Sequence, residues 1–276
     1  MKRERKITCS LYITMLAVIL LASCSKDADP VERPVLANIS FYNASTALTG
    51  EFVHGGSISN HILIDSYDTT YQDKDNIIGK VPGFGLSYLN AFPNLIQGWT
   101  AYQELLAGAH KLILADTSGR VLDSNTVRLD KDIPATVFYG DSLGHYRSIA
   151  LADKFIPAEG KIGVRIINLS PSTDSVYITF NKEVPAGFPS ATYYGNYTSF
   201  IPVDFTGRST INVKVLKKSQ ERELLAGTVL EAAIGHAYTL VISGYSDNNP
   251  GIYIDPRKGR SVEIKNNFTI TVIKNF

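Results

Sequence analysis

Apolar and polar residues alternate in short runs along most of the chain. "HKLILAD" (His110 to Asp116), "TINVKVL" (Thr210 to Leu216) and "FTITVIKNF" (Phe268 to Phe276) are the clearest, and Gly, Pro, Asn, Asp and Ser separate such runs. A period of two puts alternate side chains on one face of an extended strand, and β-branched and aromatic residues fit that pleated surface. None of the longer segments sustains the helical period. The pattern therefore predicts an all-β protein, in which about 250 residues suit either one large or two ordinary β-sandwiches.

A repeat favours two. "FYNAS" (Phe41 to Ser45) returns as "IINLS" (Ile166 to Ser170), and "GAHKLIL" (Gly108 to Leu114) returns as "GRSTINV" (Gly207 to Val213). "NTVRL" (Asn125 to Leu129) pairs with "GTVLE" (Gly227 to Glu231), and "ATVFYGDS" with "YTLVISGYSD". The four pairs keep the same order, which chance likeness between strands seldom produces. The expected domains are residues 36–155 and 156–276, joined near "ADKFIPAEGK". Asn43 and Gly108 lie 65 positions apart and Asn168 and Gly207 only 39, so the first domain carries 26 extra residues within 50–98. An elaborated loop is where binding can be added to a repeated scaffold.

The start of the chain has a different character. "MKRERK" precedes the apolar run "ITCSLYITMLAVILLAS", which ends at Cys24. A basic head, a short apolar segment and small residues read as a signal peptide over 1–23, too short and too polar for the roughly 20 residues of a membrane span. "LASC" resembles the bacterial lipobox, in which the cysteine becomes the acylated first residue. Acyl chains on Cys24 would anchor the protein to a membrane without a transmembrane helix. "SKDAD" (Ser25 to Asp29) resembles the signal that sends lipoproteins of Bacteroidota-type bacteria to the outer face of the outer membrane, and Pro30 and Pro34 stiffen a tether over 24–35. The expected address is the outer membrane, at the cell surface or facing the periplasm.

Cys9 and Cys24 are the two cysteines, so loss of one and acylation of the other leave no disulfide and no thiol nucleophile. Removing residues 1–23 takes away four basic groups and one acidic group, moving the formal charge from +1 to −2. Nothing in that balance calls for nucleic acid.

The repeat also carries a family resemblance. "GKIGVRIINLSPSTDSVYITF" (Gly160 to Phe180) resembles the opening of the domain-of-unknown-function 4397 family: a strand, an Asn-x-Ser-Pro turn and a second strand. Gly207 and "YTLVISG" fit the family's later strands, so the likeness covers most of the second half, whereas "NAST" in the first half lacks the proline. The resemblance implies tandem immunoglobulin-like or transthyretin-like sandwiches in an exported bacterial protein. It brings no established catalytic residues.

Candidate chemistry is sparse. Gly140 to Leu143 spells the Gly-Asp-Ser-Leu motif of a serine esterase family, but that family would require an α/β domain and a later Asp-x-x-His, and neither is present. Gly140, Asp141 and Ser142 instead read as residues of a polar turn. His54, His61, His110, His145 and His236 show no metal-binding spacing. Asp65, Asp68, Asp73 and Asp75 form an acidic loop without the register of a calcium-binding EF-hand. No catalytic set, metal or cofactor is expected.

Aromatic residues are the candidates for ligand contact: Trp99 and Tyr102 beside the insertion, and Tyr193, Tyr194 and Tyr197 with Phe200 in "ATYYGNYTSF". Flat amphipathic rings bind sugar faces or anchor protein interfaces at low entropic cost. The sequence thus predicts a non-catalytic lipoprotein that binds or adheres at the cell surface through a glycan or protein ligand. The alternatives are a glycan-binding accessory of a polysaccharide uptake system and a periplasm-facing assembly component.

Overall fold

The computed structural model describes residues 35–48, 61–65, 84–85, 102–115, 120–156, 158–172, 175–205, 209–218, 223–246, 251–255 and 259–276. The expected signal peptide, Cys24, most of the tether and most of the 50–98 insertion, Trp99 included from just beyond it, lie outside these residues. The first half contains β1 (Leu36–Asn43), β2 (His61–Ile64), β3 (Phe84–Gly85), β4 (Gln103–Leu106), β5 (Gly108–Ala115), β6 (Val121–Leu129), β7 (Ala135–Ser142) and β8 (His145–Ala152). The second contains β9 (Lys161–Asn168), β10 (Val176–Phe180), β11 (Ile201–Asp204), β12 (Ser209–Lys217), β13 (Leu224–Ala232), β14 (Ala237–Ser243), β15 (Ile252–Asp255), β16 (Arg260–Glu263) and β17 (Thr269–Lys274). The protein is nearly all β, as its alternating pattern predicts.

The strands of each half form two main sheets, and β15 and β16 of the second half pair as a separate two-stranded sheet. One pair has the orders β4-β1-β7-β8 and β3-β2-β5-β6, and the other has β11-β9-β14-β17 and β10-β12-β13. Within each four-stranded sheet that begins a half, the first strand runs parallel to a late one: Ile39 is level with Ala135, and Gly163 with Ala237. The remaining pairings are antiparallel. Near their ends, Asn43 and Asn168 each accept a hydrogen bond from the backbone N–H two residues on, at Ser45 (2.8 Å) and Ser170 (3.0 Å). The matched "NAS" and "NLS" segments are thus the same turn in the two halves.

Alternation along each strand builds the cores. Ala37, Ile39, Phe41, Val137 and Tyr139 point one way from β1 and β7, meeting Ile62, Leu112, Leu114, Val127 and Leu129 of the facing sheet. Ile162, Val164, Ile166, Leu240 and Ile242 do the same from β9 and β14, meeting Ile178, Val213, Val215 and Leu230. A third apolar cluster joins the opposite faces of the β4-β1-β7-β8 and β11-β9-β14-β17 sheets, with Tyr42, Phe138, Ile149 and Leu151 against Ile167, Leu169, Val241 and Ile273. The sheets therefore stack in four layers, and the middle two pack back to back. This is why β7, β9 and β14 are buried along almost their whole length, on both faces. Val35–Phe276 is one compact unit.

Candidate functional site

The Gly-Asp-Ser-Leu stretch lies where β7 turns into β8. Gly140, Asp141 and Ser142 belong to the strand, and the reversal falls on Leu143 (φ 50°) and Gly144 (φ 80°), with Ser142 level with His145. Positive φ at both central residues is the two-residue type I′ hairpin turn, so the turn lies two residues later than the sequence suggests. Gly140 is instead closely packed: a Cβ there would stand 3.2 Å from that of Leu169 in the next layer, and Leu169 would have to give way.

Asp141 is the buried residue of the motif. Its carboxylate accepts hydrogen bonds from Ser45 Oγ (2.5 Å), the Ala47 N–H (3.1 Å), the Gly144 N–H (3.1 Å) and the Tyr245 hydroxyl (3.1 Å). Ser45 in turn accepts from the Leu48 N–H, capping the helical turn at 46–48. Burial, with Asp141 adding to it, pushes the Tyr245 phenol above its usual range. Asp141 ties both halves of the chain together, while Ser142 takes no part in these bonds.

A second polar cluster lies between the back-to-back sheets. Arg165, in the apolar run "IGVRIINLS", donates to Asp153 Oδ1 at 2.5 Å, to the Ala152 carbonyl and to Thr239 Oγ1. Asn275 donates to the same carboxylate oxygen, and Thr136 and Tyr102 donate to Oδ2 at 2.5 and 2.8 Å. The guanidinium also lies over the rings of Phe200 (4.4 Å) and Phe138 (5.6 Å). Burial draws its pKa down and Asp153 opposes that pull. A buried ion pair whose remaining lone pairs are satisfied can hold without being reactive. Tyr102, one of the expected ligand contacts, is half-buried and its hydroxyl is the fourth donor to Asp153 in this network. The legible signal was a lone arginine in an apolar strand, which demands a buried partner.

The second-half tyrosines divide differently. Tyr193 and Tyr197 are each 54% exposed, and the 192–197 segment docks on the end of β9 through Gly195 N–H to Asn168 O and Asn168 N–H to Asn196 O. Tyr194 is half-buried, its phenol raised by burial and then by Asp141, against the opposing charge of Arg147. His110 places Nδ1 at 2.6 Å from Asp65, the described member of the acidic loop, and Nε2 at 2.7 Å from the Leu106 carbonyl, so both ring nitrogens are engaged. Among the described residues, no three metal-ligating side chains gather.

An open groove appears on the exposed face of the β10-β12-β13 sheet. Its volume is about 590 Å³, and it is lined by Tyr177 and Thr179 of β10, Lys214 and Leu216 of β12, Lys218, and Lys182, Val184 and Ser190 of the connector toward β11. Alternation explains the strand contribution: Ile178, Val213 and Val215 fill the core, so their neighbours lie on the other face, where Tyr177, Lys214 and Leu216 are half-buried and Thr179 is buried. Lys218 Nζ lies 5.7 Å from the centre of the Tyr177 ring. Among the described residues, no ion pair engages Lys182, Lys214 or Lys218. Three cations, two hydroxyls, an aromatic ring and an aliphatic floor can hold an amphipathic ligand without reacting with it. The sequence search missed this site because Lys182 is brought to Lys214 only by sheet pairing.

The chain matches no known family model, and no curated protein is significantly similar to it.

Proposed function

We propose that the protein is a lipid-anchored binding module of the bacterial cell envelope, held by Cys24 and built from two homologous immunoglobulin-like sandwiches fused through their inner sheets. The groove at Tyr177, Lys182, Lys214 and Lys218 is the observation that carries binding. It gathers cationic, hydroxyl and aromatic groups on an outer face, whereas the buried charged groups Asp141, Asp153 and Arg165 are consumed in holding the layers together. Tyr193 and Tyr197, further along the same connector, are exposed rings available for contact. The lipobox and tether supply the address, and capture at the cell surface is the role.

The test is a glycan and protein array probed with the full chain in detergent micelles, beside a Leu216→Arg variant that fills the groove from an exposed strand face. The ligand captured by the wild type is expected to be lost with Tm changed by less than about 2 °C. Capture that survives the substitution would remove the groove as the site. Cys24→Ala is expected to shift the protein from the membrane fraction to the soluble one.

A further inference from the structure

The turn between β10 and the connector contains an unfavourable choice of residue. Phe180 and Glu183 exchange two backbone hydrogen bonds, 2.7 and 2.9 Å, around Asn181 (φ 50°) and Lys182 (φ 84°). This is a two-residue type I′ turn, for which Asn-Gly is the preferred pair because the second position strains any residue with a Cβ. The turn of the same kind between β7 and β8 has Gly144 at that position, with φ 80°. Lys182 occupies the same geometry and lines the groove. A strained non-glycine residue at a recognition surface points to selection for its side chain, not for its backbone.

The neighbours of that side chain specify the ligand chemistry. Among the described residues, no ion pair engages Lys182, Lys214 or Lys218 and no carboxylate lines the groove. Charge complementarity selects an anion. Val184 and Leu216 offer an apolar floor, Tyr177 a ring face, and Thr179 and Ser190 hydroxyls. That mixture suits a ring with both a C–H face and hydroxyls better than a bare phosphate. The chain beyond residue 23 has a formal charge of −2 and so no long-range positive field, which leaves attraction of an anion to the groove's own lysines.

We infer that the groove binds an acidic glycan, with sugar rings on Tyr177 and Leu216 and carboxylate or sulfate groups at Lys182, Lys214 and Lys218, and that Lys182 is kept in a strained turn to serve it. This rests on the groove being the binding site.

Affinity electrophoresis of the full chain against polygalacturonate, a sulfated glycan, neutral dextran and single-stranded DNA tests the inference, with Lys182→Gly, Lys214→Gln and Leu216→Arg as variants. Retardation by at least one acidic glycan, and not by dextran, is expected. Lys214→Gln should weaken it about tenfold. Lys182→Gly should weaken it comparably while raising Tm by about 2 °C, a combination that a merely structural lysine would not produce. Binding of DNA as tight as that of the acidic glycan, or unchanged affinity in Lys182→Gly, overturns the inference. Dextran binding that Leu216→Arg abolishes overturns the acidic ligand but keeps the groove, whereas acidic-glycan binding unaffected by all three variants overturns both.

Discussion

At the scale of single residues, the protein's strongest polar groups are structural. Asp141 accepts four hydrogen bonds in a buried setting, and its neighbour Ser142 contributes to none of them. Removing the carboxylate leaves Ser45, Tyr245 and two backbone N–H groups without their acceptor. Asp141→Ala is therefore expected to cost about 2–4 kcal/mol, and Ser142→Ala less than about 0.5 kcal/mol, in urea unfolding. Equal effects would show that the network is not what holds this end of the molecule. The esterase-like letters were legible in the sequence, but the weight of the aspartate was not. Its partners Ser45 and Tyr245 lie 96 and 104 residues away and meet it only in the folded chain.

At the scale of elements, the pairing of β1 with β7 encloses Tyr42 and Tyr139. Burial raises both phenols above their ordinary value of 10.0; a bond to Thr271 partly offsets this for Tyr42, and Asp123 adds to it for Tyr139. The native state then keeps protons that the unfolded chain releases above that value. The tyrosines' contribution to stability is complete below about pH 10 and is lost as pH rises beyond it, by about 1.4 kcal/mol per pH unit for each tyrosine. A urea midpoint that is level up to about pH 9.5 and falls above pH 10 is expected; a midpoint still level at pH 11 would mean that the phenols ionise in place. The positions of these strands were readable from their β-branched and aromatic residues and the turn residues that bound them, and the repeat from its ordered landmarks. Their burial on both faces had a weaker signal, the near-continuous apolar runs "TVFYG" and "VRIIN", since a buried run looks the same whatever covers it.

At the scale of the whole molecule, the apolar layer between the inner sheets decides how it unfolds. Cutting the chain between the halves would expose Tyr42, Phe138, Ile149 and Leu151 on one side and Ile167, Val241 and Ile273 on the other, and would separate Arg165 from Asp153. Losing one partner of a buried ion pair costs about 3–5 kcal/mol in addition to the lost apolar contacts. Residues 35–276 are expected to unfold in one calorimetric transition, with segments 35–155 and 156–276 each melting well below it or failing to fold. Two separated transitions in the intact chain would show independent domains.

The sequence by itself determined the strands, the repeated order of landmarks and the all-β class, because period, propensity and turn residues act between near neighbours. Only the tertiary structure decided which faces are covered. It placed Tyr102 in a buried network, left Tyr193 and Tyr197 exposed, moved the hairpin turn to Leu143 and Gly144, and gathered Lys182, Lys214 and Lys218 around one groove. The alternation of a strand fixes that it has two faces, but the solvent or sheet that each face meets depends on chain segments tens of residues away.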